Sequence, residues 1–448
     1  MSALIQQSVQ SSIDLVGGFF IWYNAFGRII LDFFYTIFDS IFNVLLFITV
    51  IVSLLYLVMS VYAMVKRRDK KVEEKFEGEL PFVTVQIPTF NELVAIRCAE
   101  KCLDFDYPKE KYEILIGDDS NNHDVSRKLK KFATKHELVK VIKRENNKGY
   151  KPGNLNNMLK HSKGEFLVIF DSDFVPEKDF LARIVQPLLK NKKVAGVQAR
   201  WNLLNANQNL VSVLGATIVS TCHRITMPFM FNRRKITFLC GSAEAVRKST
   251  LIELGGWDSG NLTEDIEFSL RLLKSGYKIE YLNDLECDSE VPFTIKDLYK
   301  QQMRWAYGVI HSWKKHFGDI SRSRHLNFVD KFYMGGVFCS GYLISVLLAA
   351  LFITGTLSFL THAPAPIEWG TFLYELGRNI LLTSGLILSG IVALTKARIP
   401  KLTLPMILSA FSFGIVVTYY VNMGIFKALV KAPMEWYMLN KQGNKLVV

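Results

Sequence analysis

Four short polar clusters stand in a fixed order along this chain: Asp118-Asp119, Asp171-Ser-Asp173, Thr263-Glu264-Asp265 and Gln301-Gln-Met-Arg304-Trp305. Asp-x-Asp suits a hard divalent cation, because Mg²⁺ or Mn²⁺ takes one or two carboxylates and completes its shell with phosphate oxygens. A chance pair of acids in a turn is the plain alternative. Asp265 opens an apolar-periodic stretch, Ile266 to Leu273, so it is either an acid favoured by a helix N-terminus or a general base for a hydroxyl nucleophile. Asp118-Asp119 either caps a turn or accepts hydrogen bonds from a nucleoside. The loop Lys148-Gly-Tyr-Lys-Pro-Gly-Asn154 either carries Lys151 to a phosphate or is an ordinary solvated loop. Gln301, Arg304 and Trp305 share one face of a helix, where Arg steadies a departing diphosphate and Trp stacks on a sugar, or where Trp simply packs at an interface. Taken together, the clusters suit metal-assisted attack on a group activated by a diphosphate.

The elements between the clusters place them on one edge. Phe82 to Ile87 is a β-rich run, broken by Pro88-Thr-Phe-Asn-Glu92 and followed by a helical pattern from Leu93. Tyr112 to Gly117 ends in Asp118-Asp119-Ser120. Leu138 to Ile142 is a third run, and Phe166 to Phe170 ends in Asp171-Ser-Asp173. Strands alternating with helical stretches predict a largely parallel α/β sheet. Ligands of such sheets bind beyond the carboxyl ends of the strands, where Asn91, Asp118, Asp119, Asp171 and Asp173 all fall.

Apolar sequence flanks this polar block. The chain is 448 residues long with 50% hydrophobic residues and a mean hydropathy of +0.18, and the excess sits at its two ends. Ile41 to Val65 is long enough to span a bilayer, and Lys66-Arg67-Arg68 marks its cytosolic end. Residues 13–38 are apolar but carry Asp14, Arg28 and Asp32, which predicts an interfacial amphipathic helix, with a second span as the alternative. Phe293 to Phe317 is a further amphipathic stretch. Three more apolar segments follow: Lys331 to Leu360, Ile380 to Leu394 and Leu402 to Ile425. Three crossings would leave a tail bearing Lys427, Lys431, Lys441 and Lys445 on the far side, against the positive-inside tendency. One segment is therefore re-entrant or another is hidden.

The net charge of +13 raises a nucleic-acid binder. The basic residues gather instead at membrane borders (Lys314, Lys315, Arg322, Arg324), without interleaved aromatics, which points to anionic lipid and not to nucleic acid. The six cysteines, Cys98, Cys102, Cys222, Cys240, Cys287 and Cys339, include no CxxC pair and read as reduced cytosolic thiols. The N-terminal residues show neither a basic region nor a small-residue cleavage site, so no signal peptide is expected.

With these elements in order, the block from about Val83 to Gly308 resembles the membrane glycosyltransferases of family 2, and most nearly the cellulose-synthase-like A and C glucomannan and glucan synthases. The segments that carry the likeness include Gly149 to Asn154, Val197 to Asn202, Gly255-Gly-Trp257 and Gln301 to Trp305. The resemblance implies a GT-A, Rossmann-like α/β catalytic domain in the cytosol, joined to transmembrane helices and amphipathic interface helices. It also implies an inverting displacement that moves a sugar from UDP-glucose, GDP-mannose or UDP-N-acetylglucosamine to a growing β-linked glycan. The single-transfer relatives that glycosylate a membrane lipid share the same motifs and are the alternative. Pro88, Thr89, Asn91, Glu92, Asp118, Asp119, Lys151, Asp171, Gln301 and Arg304 are then expected at the nucleotide sugar, with Asp171 and Asp173 on Mg²⁺ or Mn²⁺. Cys240, Gly241, Ser242, Glu264 and Trp305 are expected at the acceptor, and Asp265 as the base. Synthases of this type also carry a loop motif, FxVTxK. Glu435 to Lys441 matches it at the aromatic and the lysine, with Leu439 where Thr is usual.

The expected organisation is an interfacial or membrane-spanning region over 1–40, a span over 41–65 and a cytosolic catalytic domain over 80–292. An interface helix follows over 293–318, then a membrane region over 329–425 and a basic tail over 426–448.

Overall fold

The computed structural model describes residues 2–66, 78–362, 368–441 and 443. Arg67, Arg68 and Lys445 of the basic clusters lie outside the described residues. Two compact units divide the chain. One comprises Met1–Leu55 and Leu343–Ser384, the other Tyr56–Tyr342 and Gly385–Val448.

The second unit is built on a seven-stranded sheet of order β3-β2-β1-β4-β6-β5-β7. In chain order the strands are β1 Val83–Thr89, β2 Tyr112–Asp118, β3 Val139–Lys143, β4 Phe166–Ile169, β5 Val194–Leu203, β6 Glu244–Arg247 and β7 Lys278–Ser289. β1, β2 and β4 are buried along their whole length, as central strands covered on both faces must be. Their Val, Ile and Phe side chains meet Cys98, Cys102, Phe105 and Phe180 in the main core. β3, β2, β1 and β4 pair in parallel, as do β5 and β7, while β6 runs antiparallel to both β4 and β5. The antiparallel β6 brings the turn before it, Cys240 to Ala243, to the carboxyl edge of β4.

Pro88 does not break the first strand. It pairs with Gly117 of β2, and the strand runs on to Thr89 opposite Asp118. β4 pairs with β1 only from Val83 to Gln86, so Pro88 lies past the end of that ladder, where its missing N–H costs nothing.

In the same unit, the helix Ile295–Arg322 carries Gln301, Arg304 and Trp305. Leu210–Thr221 and Thr403–Leu429 pack beside it, with Val211, Leu214, Leu298, Ala306, Val417 and Val421 forming their shared core. The Thr403–Leu429 helix packs against the rest of this unit at both ends. Met406 packs with Val213, Ala216 and Leu394, and the carbonyl of Leu429 accepts a hydrogen bond from Lys314. Its outer face presents Leu404, Leu408, Phe411, Ile415 and Tyr419.

In the first unit, Gly355 lies against Phe42, and Tyr35 meets His362 edge to face at 4.7 Å. The regions expected as an interfacial helix and a separate span form one continuous helix, Ser2–Val65. Asp14, Arg28 and Asp32 interrupt the apolar run but not the backbone, since no proline occurs between Ser2 and Val65 and a charged side chain does not break a helix. Among the described residues, five helices are long and apolar enough to cross a membrane: Phe26–Val65, Leu210–Arg234, Ser340–Thr361, Trp369–Lys396 and Pro400–Leu429. The second of these is mostly buried inside the protein and serves as a core helix.

Candidate active site

A cavity of about 340 Å³ opens at the carboxyl edge of the sheet. β1 supplies Pro88 and Thr89 to its wall, and the loop after β1 supplies Glu92. Asp119 follows β2, and Asp171 and Asp173 follow β4. Cys240 and Gly241 come from the turn before β6, Glu264 and Asp265 from the first turn of the helix Glu264–Lys274, and Gln301, Arg304 and Trp305 from the long helix.

Lys151 ties these groups together. Its ammonium donates to the carbonyl of Gly241 at 2.7 Å and pairs with Asp171 at 2.7 Å and Glu264 at 3.2 Å. Burial alone would lower its pKa, but the attraction of Asp171, Glu264 and Asp265 raises it above the ordinary value. It therefore stays charged in a wall that also holds Arg304, whose charge burial disfavours and Glu264, Asp171 and Asp265 support. Asp265 is 9% exposed. Burial and then the neighbouring Glu264 push it up to about 7, against the pull of Lys151. Gly241 has φ +82°, and a Cβ there would stand 3.1 Å from Lys151 Nζ and 3.2 Å from Asp265 Oδ2. Only glycine fits both that left-handed backbone and that space.

Asp119 is held by a guanidinium fork. Arg144 Nε donates to Oδ1 at 2.6 Å and Nη2 to Oδ2 at 2.5 Å. The same side chain donates to the carbonyls of Lys148 and Tyr150, so it also anchors the loop that leads into Lys151. Arg144 belongs to no motif and is not visible as a site residue from sequence.

Three expected residues are not brought to the cavity wall. Asn91 turns to the loop after β2, donating to Asn121 at 2.7 Å and accepting from the amide of Asn122 at 3.0 Å. Asp118 is fully buried behind the wall, accepting from the Ser120 amide and from Lys143. Burial opposes its charge, but hydrogen bonds from Ser126, Ser120 and Lys143 outweigh that and hold its carboxyl below the usual range. Ser242 is buried too, and its hydroxyl accepts from the amide of Asp171 at 2.8 Å. These three residues shape the backbone under the cavity.

Asp171 is the open carboxylate of the Asp-x-Asp pair, with its side chain 34% exposed. Asp173 is enclosed: one oxygen accepts from the Glu290 amide at 3.0 Å and the other from Lys441. Among the described residues no group of three or more His, Cys, Asp or Glu converges to hold a metal. Two carboxylates facing a cavity are nonetheless the donor set of a cation that takes its remaining ligands from a phosphate and water, and the Lys441 ammonium already stands as a cation at one of them. Glu92 lies beside this pair. Burial pushes its carboxyl up to about 7 although Lys441 and Ser172 pull it down, and the Ser172 hydroxyl donates to it.

The tail segment completes the wall. Trp436, Tyr437, Met438, Leu439, Asn440 and Lys441 all line the cavity. Trp436 stacks with Tyr150 at 6.3 Å and meets Phe90 edge to face at 5.9 Å. Asn440 donates to Asp297 at 2.9 Å, and the Gly443 amide donates to Glu290 at 3.0 Å. The tail thus lines the same cavity as the strand ends.

The chain is similar to known proteins over this region. The chain is 29% identical over 350 residues to glucomannan 4-beta-mannosyltransferase 7 of Arabidopsis thaliana, covering 72% of this chain and 61% of that protein. It is 31% identical over 271 residues to glucomannan 4-beta-mannosyltransferase 2 of the same plant, covering 58% and 51%. The chain thus spans between about half and three fifths of the length of these relatives. A solved mannosyltransferase from Pyrobaculum calidifontis, in complex with GDP-Man and Mn²⁺, shares the fold with a TM-score of 0.61 at 18% identity, over 88% of this chain and 100% of that one. The catalytic sheet is therefore a GT-A fold. The family model "Glycosyltransferase like family 2" matches residues 81–308, a stretch that holds every strand and every wall residue except those of the tail. On that match the chain belongs to the family 2 glycosyltransferases.

Proposed function

We propose that this protein is a membrane-bound inverting glycosyltransferase that moves a hexose, with mannose from GDP-mannose as the favoured donor, onto a growing β-linked glycan. The observation that carries the reading is the gathering of Lys151, Asp171, Glu264, Asp265 and Arg304 in one cavity at the strand ends. The names of the plant relatives and the GDP-Man held by the archaeal neighbour support the choice of sugar.

The chemistry follows from these side chains. Asp265, ionised above about pH 7, takes the proton of an acceptor hydroxyl as that oxygen attacks the anomeric carbon. The bond from that carbon to the donor's diphosphate breaks on the opposite face, which inverts the centre. Lys151 and Arg304 supply fixed positive charge where the leaving diphosphate gathers negative charge. A divalent cation, Mg²⁺ or Mn²⁺, held by Asp171 and Asp173 would supply Lewis-acid stabilisation of the same phosphates. Asp119, clamped by Arg144, sits where the nucleoside end of the donor enters. Trp305 offers an acceptor sugar a flat apolar face. The Thr403–Leu429 helix lies along the membrane with its apolar outer face in lipid and keeps the tail on the cytosolic side.

The test is to supply labelled GDP-mannose, UDP-glucose and UDP-N-acetylglucosamine to the purified protein in nanodiscs and to size the product. Long material cut by a β-mannanase is expected from GDP-mannose. A single mobile glycolipid bearing one sugar, with no longer species, would overturn the polymer reading.

A further inference from the structure

Arg304, Gly308, Ser312 and His316 stand four residues apart along the helix Ile295–Arg322. Residues at that spacing form one ridge of a helix, of the kind that packs into a neighbour's groove. Gly308, Ser312 and His316 are buried and lie beyond the 301–305 cluster.

Each member of the ridge meets the segment that carries Glu264 and Asp265. Arg304 Nη1 donates to the carbonyl of Leu262 at 3.4 Å. Gly308 faces Thr263 so closely that a Cβ there would stand 2.5 Å from Thr263 Oγ1 and 2.9 Å from Thr263 Cβ. Ser312 Oγ accepts from Asn261 Nδ2 at 2.7 Å and donates to the Gly308 carbonyl at 2.8 Å. Asn261 in turn accepts from the Thr263 amide at 3.1 Å, so it shapes the chain just before the helix Glu264–Lys274. His316 ends the ridge. Its Nδ1 lies 3.2 Å from the Lys274 ammonium and its Nε2 2.7 Å from Glu267. An ammonium can only donate, so Nδ1 accepts and Nε2–H donates to the carboxylate. Both partners belong to the helix whose first turn holds Asp265.

The other side of the ridge-bearing helix is closed. A Cβ on Gly424, in Thr403–Leu429, would stand 3.2 Å from the Met303 carbonyl carbon and nearer still to its oxygen. Met303 is five residues from Gly308, about 140° round the helix. The helix is therefore pinned between two glycine contacts, and a side chain at residue 308 is accommodated by moving residues 261–263. Thr263 is β-branched and 5% exposed, so its side chain does not turn aside cheaply. Such a shift carries Asp265 with it, and a misplacement of about 1 Å can cost about 10²-fold in rate.

We propose that Gly308, Ser312 and His316 are positioning residues for sugar transfer, fixing the spacing between the base Asp265 and the diphosphate-binding cation Arg304. The inference rests on those two roles. The test compares Gly308→Ala, Ser312→Ala and His316→Leu with two controls. His316→Gln keeps a donor for Glu267, and Gly318→Ala alters a glycine of the same helix whose Cβ would meet nothing within 4 Å. The full chain in nanodiscs is assayed for transfer from its best nucleotide-sugar donor, for donor affinity by calorimetry and for thermal unfolding. At unchanged donor affinity, kcat should fall by about 10²-fold in Gly308→Ala and by about five- to tenfold in Ser312→Ala and His316→Leu, each of which loses a buried hydrogen bond. His316→Gln should recover most of the loss, and Gly318→Ala should match the unaltered protein. Should Gly308→Ala not fold, Ser312→Ala and the two His316 variants carry the same decision. A ridge variant that unfolds at lower temperature yet keeps its kcat per folded molecule would overturn the proposal, as would one that loses kcat and donor affinity in proportion. Near-normal transfer by Asp265→Asn is a separate failure: it strikes the base assignment, and the proposal with it, whatever the ridge variants do.

Discussion

Lys441 donates a hydrogen bond to the Asp173 carboxylate, joining residues 268 positions apart in sequence. Attraction by Asp173 and Glu92 keeps the lysine charged despite its burial. A monovalent side-chain cation therefore occupies one of the two carboxylates proposed for the divalent metal. The tail also packs through Trp436 and Asn440, so removing the lysine charge need not detach it.

Lys441→Ala should lower the half-saturating Mn²⁺ concentration by about tenfold, or about 1.4 kcal/mol, because a buried carboxylate left without its partner gains more from the metal. A metal titration of donor hydrolysis reads this directly. Unchanged or weaker activation by Mn²⁺ would show that Lys441 does not compete.

Chelation should abolish transfer. EDTA treatment followed by Mg²⁺ or Mn²⁺ should restore it, whereas Asp173→Ala should stay inactive after metal is returned. Full activity in excess chelator would remove the metal from the mechanism.

Asp265→Asn keeps the shape of the side chain and loses the base. Transfer should fall by about 10²–10⁴-fold while donor binding by calorimetry persists. In the unaltered protein the transfer rate should rise with pH through about 7 and level above it, since Asp265 acts only when ionised and its carboxyl is raised to about 7. That limb should vanish in the variant. A variant with near-normal transfer would return the base to another group.

Arg144→Ala leaves Asp119 without its bidentate partner and frees the loop before Lys151. The donor KM should rise by about tenfold or more with a smaller change in kcat, since the lost interaction is made before the transition state. A kcat effect alone, at unchanged KM, would contradict the nucleoside-end placement of Asp119.

Gly241→Ala forces a side chain into the space between Lys151 and Asp265 and strains a left-handed residue. Stability should fall by about 1–2 kcal/mol, while transfer should fall far more. A variant that loses stability and keeps its activity per folded molecule would show that the contact is not used in transfer.

The strands and their acid-bearing ends are legible in the sequence because central parallel strands must be apolar throughout and because chemistry at their ends needs charge. What is hidden has physical causes. Arg144 and Glu290 are single charged residues whose importance comes only from what the fold sets beside them. The Leu210–Arg234 stretch carries His223, Arg224, Arg233 and Arg234, which dilute its hydropathy, and its burial by the Ile295–Arg322 and Thr403–Leu429 helices is a tertiary fact. Pro88 reads as a strand breaker until the length of β4 is known. Asn91, Asp118 and Ser242 have the residue types of a binding site but spend their polar atoms on the loops beneath it. The tail matches a loop motif at two positions only, and Trp436 and Lys441, the two that match, both face the cavity.

The wall of the active site closes with residues 436–441, after every apolar helix has been made. A nascent chain that has completed its sheet still carries an open cleft, with Asp173 lacking its lysine and Tyr150 its tryptophan. Residues 436–441 follow the Thr403–Leu429 helix in the chain, so the contacts of Lys441 with Asp173 and of Trp436 with Tyr150 can form only after that helix has been synthesised.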